Sequence, residues 1–179
     1  MGRSGFANVK AFKPLADGTY RIYATSYDRA GNQAPDSSPG LTLVVDTFKP
    51  VVAFNSPLLN ATLTQLTLVS GRAGGDRGVS EVHVSLQRKV NNVVQFWNGN
   101  AFTTTFASHE AQNTSAGYNS VTWQLDANQL PSKSALTPGN YVLFAASYDA
   151  AGNTGLSTAR PFTVAALAAP FNSPSAGSS

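Results

Sequence analysis

An internal repeat constrains this chain more than any other feature of its sequence. Residues 15–32 align without a gap on residues 136–153, and ten of the eighteen pairs are identical, at an offset of 121 residues. The same offset places Leu41 on Phe162. A period of this length is that of a whole domain rather than of a solenoid repeat. The chain is therefore expected to hold parts of at least two copies of one module.

The repeat predicts three segments. Residues 1–47 are expected to form the C-terminal part of one module, residues 48–166 a complete module, and residues 167–179 a flexible tail or the start of a next module. The last assignment depends on a short echo, since the Phe-Asn-Ser-Pro of residues 54–57 recurs at residues 171–174. The first six residues lack the apolar core of a signal peptide. An export signal is therefore expected elsewhere, in a longer parent protein.

Within residues 48–166, apolar residues alternate with polar ones, as half-buried strands require. No long stretch repeats apolar residues at the helical period, and the best helical window, residues 132–136, is a single turn. The pattern predicts an all-β fold, a sandwich of two sheets with about seven strands. The residues expected inside it are Val82, Val84, Leu86, Trp123, Leu125, Tyr141, Leu143, Ala145, Phe162 and Val164.

Two turn motifs refine this prediction. The run from Leu136 to Tyr141 (Leu-Thr-Pro-Gly-Asn-Tyr) matches a tyrosine corner, in which the phenol hydroxyl bonds back to nearby backbone. The alternative is a plain Pro-Gly turn followed by a core tyrosine; residues 15–20 repeat the frame, which favours the corner. Asn98-Gly99 predicts a hairpin over residues 96–101, with the pair supplying the positive φ angles of a tight turn. The only adjacent basic pair, Arg88-Lys89, is expected in a solvated loop.

Several short motifs carry a resemblance to a known family. They are Asp-Gly-x-Tyr at residues 17–20, Tyr-Asp-x-Ala-Gly-Asn at 27–32 and 148–153, and Val-Asp-Thr-x-x-Pro at 45–50. In these the chain resembles the bacterial immunoglobulin-like modules of large surface and secreted proteins, which are related in shape to fibronectin type III domains. The resemblance implies an immunoglobulin-like β-sandwich preceded by a truncated neighbouring module. It also implies an extracellular or cell-surface location, adjacent modules of the same chain as partners, and a spacer or adhesion role.

Composition and motifs argue against several other classes of function. The net charge of +3 comes from scattered residues without a basic run, so nucleic acid is not an expected partner. No apolar stretch approaches the length of a membrane span, and the absence of cysteine removes disulfides and thiol metal sites. The two histidines, His83 and His109, have no sequence-level partner, and no serine-nucleophile or phosphate-loop motif occurs. We therefore expect no enzyme activity and no membrane insertion.

Four oxygen-bearing side chains predict a calcium site. Asp46 lies in the linker, Asp76 in the loop after the second strand, and Asp149 and Asn153 in the loop after the sixth. In a sandwich of this type, both loops lie at the end where the linker enters, and the site would gather the hard oxygen ligands that calcium needs. The alternative is that Asp149 and Asn153 hydrogen-bond only their own turn. That alternative explains Asp28 of the first copy equally well.

Aromatic residues suggest a second functional class, a carbohydrate- or protein-binding module appended to a secreted enzyme. Trp97, Trp123, Tyr118, Phe144 and Tyr148 could supply a surface on which a glycan stacks. Trp123 alternates in phase with core residues, however, and Trp97 is expected to clamp its hairpin. Phe144 and Tyr148 lie on the face opposite the predicted core, so they form the better candidate patch. Both recur as tyrosines in the first copy, which favours the spacer because duplicated features more often serve the fold.

Overall fold

The structure is a computed structural model that describes residues 13–35, 39–116 and 119–166. The chain divides after Thr47 into two compact units, residues 1–47 and 48–179, and each is described by itself. The described elements are β1 (Gly18–Ile22), β2 (Leu41–Val45), β3 (Val51–Ser56), β4 (Ala61–Leu63), β5 (Ser70–Gly74), β6 (Glu81–Val90), β7 (Val93–Trp97), β8 (Phe102–Thr103), β9 (His109–Glu110), β10 (Gln112–Ala116), β11 (Ser120–Gln124), a 3-10 helix (Ala127–Gln129), β12 (Gly139–Tyr148), β13 (Thr154–Leu156) and β14 (Arg160–Val164). No helix in this part of the chain is long and apolar enough to cross a membrane. The Phe-Asn-Ser-Pro echo at residues 171–174 lies outside the described residues.

The second unit is built from two sheets. The small sheet has the strand order β10-β11-β5-β3, and the large sheet has the order β4-β14-β12-β6-β7-β8, with β13 beside β12 and β9 beside β6. β4 runs parallel to β14, whereas the other pairs are antiparallel. The inward side chains of the two sheets form one core. The predicted all-β, immunoglobulin-like sandwich is therefore confirmed.

The core contains every residue that strand periodicity placed there. All ten predicted core residues are buried, among them Trp123 at 1% and Leu143 at 0% exposure. The ring of Trp123 meets Phe54 edge-on at 5.4 Å, and Tyr141 stacks on Phe162 at the same centroid distance. Gly71 of β5 makes room for this packing, since a Cβ at that position would overlap the indole of Trp123.

The predicted number of strands is too low. Within residues 48–116 and 119–166, the second unit has twelve strands, four in the small sheet and eight in the large one. The additional strands are short ones, and three of them (β7, β8 and β9) extend the large sheet beyond β6 within residues 93–110. The basic pair expected in a loop lies instead within β6, where the Arg88 guanidinium carbon sits 4.2 Å from the centroid of the Phe102 ring. A guanidinium group over the face of an aromatic ring is attracted by the negative charge density of that face.

The turns differ from prediction in one respect. The β7–β8 hairpin exists, but pairing ends at Trp97 with Phe102, and only Gly99 of the Asn-Gly pair has a positive φ. Asn98 instead accepts hydrogen bonds through Oδ1 from the N–H groups of Asn100 and Ala101, at 3.0 and 2.9 Å. The two-residue turn with positive φ at both positions is the preceding one, Asn91 and Asn92, between β6 and β7. Asparagine tolerates this conformation better than other non-glycine residues.

The first unit contains a two-stranded sheet formed by β1 and β2. The alignment of the two copies predicts a strand from Gly18 to Asp28, but β1 ends at Ile22, and among residues 23–35 the structure shows only an isolated bridge between Tyr27 and Gln33. The prediction was wrong beyond Ile22 because the corresponding length of β12 is held by β6 and β13, whereas the described sheet of the first unit contains only β1 and β2.

Candidate functional site

A groove of about 450 Å³ lies on the outer face of the large sheet. Its position follows from the alternation along β12, which sends Tyr141 and Leu143 into the core and Phe144 and Tyr148 to the other face. Phe144 is 37% exposed. The two aromatic residues that the sequence singled out as a candidate patch therefore lie together in the lining of this groove.

Small side chains in the middle of the sheet make the face concave. Ser85 of β6 stands opposite Phe144, and Ala146 of β12 has a cross-strand neighbour on each side, His83 and Leu156. Larger side chains rise at the two margins. Leu156 of β13 forms one margin and is 76% exposed, and Phe106, in the loop between β8 and β9, forms the other and is 67% exposed.

Polar groups are interleaved with these apolar ones. The Nε2–H of His83 donates to the Glu81 carboxylate at 3.1 Å, and the His83 ring contacts Tyr148 edge-on at a centroid distance of 5.5 Å. Gln87, Ser108 and Ser157 also line the groove. Hydroxyl, amide and imidazole groups beside aromatic rings suit a ligand that has both apolar and hydrogen-bonding surfaces.

Two of the other aromatic candidates, Trp97 and Trp123, do not contribute to this surface. Trp123 is in the core, as predicted, and Trp97 is 4% exposed. The indole N–H of Trp97 donates to the carbonyl of Gln129 at 2.8 Å, and its ring packs on Phe102 across the hairpin. This confirms the prediction that Trp97 clamps its hairpin. Tyr118 lies outside the described residues.

The loop after β12 is closed by a carboxylate. Asp149 Oδ1 accepts hydrogen bonds from the N–H groups of Ala151 and Asn153, both at 2.9 Å, and Oδ2 accepts one from Asn153 Nδ2 at 2.9 Å. Burial of Asp149 favours the neutral acid, but the hydrogen bonds from the side chain and backbone of Asn153 and from the backbone of Ala151 and Gly152 outweigh it and lower the pKa of this carboxyl. Asp149 is therefore used as an ionised brace of its own loop.

The first copy repeats the same arrangement. Asp28 Oδ1 accepts from the N–H groups of Ala30 and Asn32 at 2.8 and 2.9 Å, and Oδ2 accepts from Asn32 Nδ2 at 2.7 Å. The side-chain hydrogen bond from Asn32, followed by those of the backbone, lowers the pKa of Asp28 as well. The structure thus favours the local-turn explanation for both loops.

The predicted calcium ligands do not form a visible carboxylate cluster. Within residues 13–35, 39–116 and 119–166, no group of three or more His, Asp or Glu side chains could hold a metal ion. Asp46 is buried in the first unit, Asp76 is exposed in the second, and Asp149 and Asn153 are engaged with each other. Calcium binding by these four residues stays a prediction, without support from the geometry.

The tyrosine corner is present in both copies. The hydroxyl of Tyr141 donates to the carbonyl of Thr137 at 2.8 Å, which confirms the predicted corner and not the plain-turn alternative. In the first unit the hydroxyl of Tyr20 donates to the carbonyl of Ala16 at 2.7 Å. The replacement of proline by Asp17 in the first copy therefore leaves the corner intact.

Sequence reasoning found Phe144 and Tyr148 but missed the other residues that shape the groove. Phe106 lies in a loop without strand periodicity, and Leu156 lies on a three-residue strand. Phe106 and Leu156 lie near β12 and β6 only because segments far apart in the chain pair with one another. A pattern read along a single strand carries no signal for such a neighbourhood.

Comparison with known proteins adds little. No protein family and no curated protein matches this chain. Among the solved structures similar to it is murine CRIg, with 11% sequence identity and a TM-score of 0.31; the match covers 64% of this chain and 94% of the CRIg chain. Function has to be inferred from this chain's own residues.

Proposed function

We propose that this chain is a non-catalytic structural spacer or adhesion module of a tandem-repeat protein that works outside the cell or on its surface. The observation that carries the proposal is structural duplication. Two separate structural motifs recur in both units: the tyrosine corner, and the loop closed by Asp28 or Asp149, here called the aspartate-braced loop. In each motif the same atoms are hydrogen-bonded at nearly the same distances. Repetition of the C-terminal part of a module in this way supports an array of such modules.

The path of the chain through residues 48–166 also supports a spacer. The carbonyl of Pro50, where the module begins, lies so close to Gly155 that a Cβ there would overlap it, and Gly155 pairs with Ser147 near the end of β12. Val164, where the last strand ends, pairs with Gly139 at the beginning of β12. These two pairs are eight residues apart along β12, or about 26 Å at ~3.3 Å per residue. The chain therefore enters and leaves the sandwich at opposite ends, which lets successive modules extend an array.

A chimera tests the array directly. In this chimera, residues 48–135 directly precede the chain that begins at Leu15. Residue 135 is then followed by Leu15, just as it is followed by Leu136 in the complete copy. If residues 15–47 belong to a module of the same kind, the chimera folds into two sandwiches, and the surface exposed on unfolding roughly doubles, together with the summed denaturant m-values. The control carries the same 88 residues in scrambled order. An m-value no larger than that of the control would contradict the array.

The groove on the large sheet favours a second candidate, a carbohydrate- or protein-binding module. Exposed Phe106, Phe144 and Leu156 surround a concave surface that is not required to close the core. A glycan panel offers the direct probe, with Ala146→Trp as the variant that fills the groove floor and Leu58→Trp, on an exposed turn residue outside the groove, as the matched control. Binding that Ala146→Trp abolishes and Leu58→Trp leaves unchanged would establish this candidate. Binding unaffected by Ala146→Trp would remove the groove from consideration.

A further inference from the structure

Aligned residues of the two copies lie in opposite environments. Ile22 is 48% exposed and its counterpart Leu143 is 0% exposed. Leu43, which pairs with Tyr20 as Phe162 pairs with Tyr141, is 37% exposed, whereas Phe162 is 2% exposed. The sequences differ little in apolar character at these positions. The difference comes from neighbours, since β12 and β14 have an opposing sheet whereas the described sheet of the first unit contains only β1 and β2.

The second unit shows which strand pairs with the outer edge of the hairpin that corresponds to β1 and β2. β12 is flanked by β14 on one edge and by β6 on the other, and β6 pairs with it antiparallel over eight residues. In that ladder Arg88 stands opposite Tyr141, and Leu86 opposite Leu143. At the offset of the repeat, Tyr141 and Leu143 become Tyr20 and Ile22 of β1.

We propose that the open edge of β1 binds, in antiparallel orientation, an extended strand with the sequence pattern of β6, supplied by an immunoglobulin-like module of the same type. The register follows from the complete copy: the leucine equivalent to Leu86 lies beside Ile22, and the arginine equivalent to Arg88 lies beside Tyr20. The inference rests on the proposed array. It identifies the strand of one module that pairs with β1 of another part of the array. Addition of a strand to an exposed sheet edge is a recurrent mode of recognition, in which main-chain hydrogen bonds give affinity and alternate side chains give specificity.

The backbone geometry identifies the groups that would form the new ladder. Both the N–H and the C=O of Ala145 bond on the β14 side of β12, to Ser157 Oγ at 2.9 Å and to Ser157 N at 2.8 Å. Because backbone groups alternate between the two edges of a strand, those of Val142 face β6. Arg21 is the counterpart of Val142, so its N–H faces the open edge of β1 and not β2.

The same alternation identifies the critical residue of the incoming strand. The carbonyl of Val82 accepts a hydrogen bond from Ala111 N at 2.8 Å, on the edge of β6 away from β12. Ser85, three residues further, therefore directs its N–H and C=O toward β12. Its side chain points to the outer face of the sheet, where it lines the groove. A substitution of Ser85 in the incoming strand can thus remove a backbone donor without altering the inward apolar side chains.

The experiment adds a synthetic peptide of residues 79–92 to the full 179-residue chain and measures amide hydrogen exchange. At saturating peptide we expect exchange at residues 19–25 to slow by at least tenfold, with no change at residues 139–148, which are already paired. The peptide carrying Ser85→Pro should have no effect, and its matched control with Ser85→Ala should act like the original. On the chain, Arg21→Pro should abolish the protection and Arg21→Ala should retain it, because proline removes only the outward N–H and is tolerated on an edge strand.

Three results would overturn the inference. The first is unchanged exchange at residues 19–25 with every peptide. The second is equal protection by the Ser85→Pro peptide, which would show non-specific association. The third is protection that rises with the concentration of the chain and is indifferent to peptide, which would show that β1 pairs with a second copy of itself. Failure of the peptide while the chimera folds would remove only this inference, whereas failure of the chimera would remove the array.

Discussion

The replacement Tyr141→Phe removes a single hydroxyl from the sandwich while leaving the ring that fills the core. Tyr141 is 1% exposed, and its ring stacks on Phe162 at 5.4 Å and packs against Phe102 at 5.8 Å. Phenylalanine keeps both contacts because its ring has the same shape. The variant therefore removes only the contacts of the hydroxyl with Thr137, namely the hydrogen bond to its carbonyl at 2.8 Å and a longer contact with its Oγ1 at 3.4 Å.

The size of the loss depends on what happens to that carbonyl. Thr137 is an exposed residue, so water can replace the phenol as the hydrogen-bond donor. The cost is then the net value of one hydrogen bond, about 0.5–1.5 kcal/mol, and not the larger penalty of a buried group left without a partner. For a unit of this size, 1 kcal/mol corresponds to a decrease in Tm of about 3–5 °C.

Tryptophan fluorescence during urea unfolding measures this loss of stability in the second unit, which contains Tyr141. Both tryptophans of the chain, Trp97 and Trp123, lie in the second unit. We expect Tyr141→Phe to lower the midpoint without changing the m-value, since the surface exposed on unfolding is the same. The matched control is Tyr20→Phe, which removes the equivalent hydrogen bond from the first unit and should leave the midpoint unchanged. An unchanged midpoint for Tyr141→Phe would refute the view that the corner stabilises the sandwich, and a loss above about 3 kcal/mol would refute the view that water replaces the phenol.

Three further predictions concern the core and the loops. Trp123→Ala should cost about 3–5 kcal/mol in urea unfolding, because it leaves a large cavity in the core; a loss below about 1 kcal/mol would contradict its core position. Asp149→Asn should destabilise the second unit near neutral pH. Because the folded-state pKa of Asp149 is lowered, the wild-type advantage is present above the unfolded-state pKa of about 4 and disappears as the pH falls through the folded-state value; a difference that does not depend on pH would contradict this. The calcium prediction for Asp46, Asp76, Asp149 and Asn153 is checked by calorimetric titration of the metal-stripped chain, and absence of binding at millimolar calcium contradicts it.

Strand periodicity predicted the core well because each core position is decided locally. Val82 and Val84 alternate with polar neighbours, and that alternation alone fixes which face is buried. The tyrosine corner was equally local, since its donor and acceptor are four residues apart. The concavity of the outer face was not predictable in this way. It requires Ser85 and Ala146 to be near each other on neighbouring strands and Phe106 to fold over from a loop, and only the tertiary structure sets those relations.

The two copies also separate what a segment dictates from what its neighbours add. Residues 18–27 and 139–148 are aligned in the repeat, yet β1 spans five residues and β12 spans ten. The tyrosine corner and the braced loop form in both, because each is closed by hydrogen bonds within a few residues. The strand between them persists to its full length only where β6 pairs with one edge and β13 and β14 with the other. A two-stranded sheet is marginal in water. We therefore expect β1 to extend beyond Ile22 only when an additional strand pairs with its open edge.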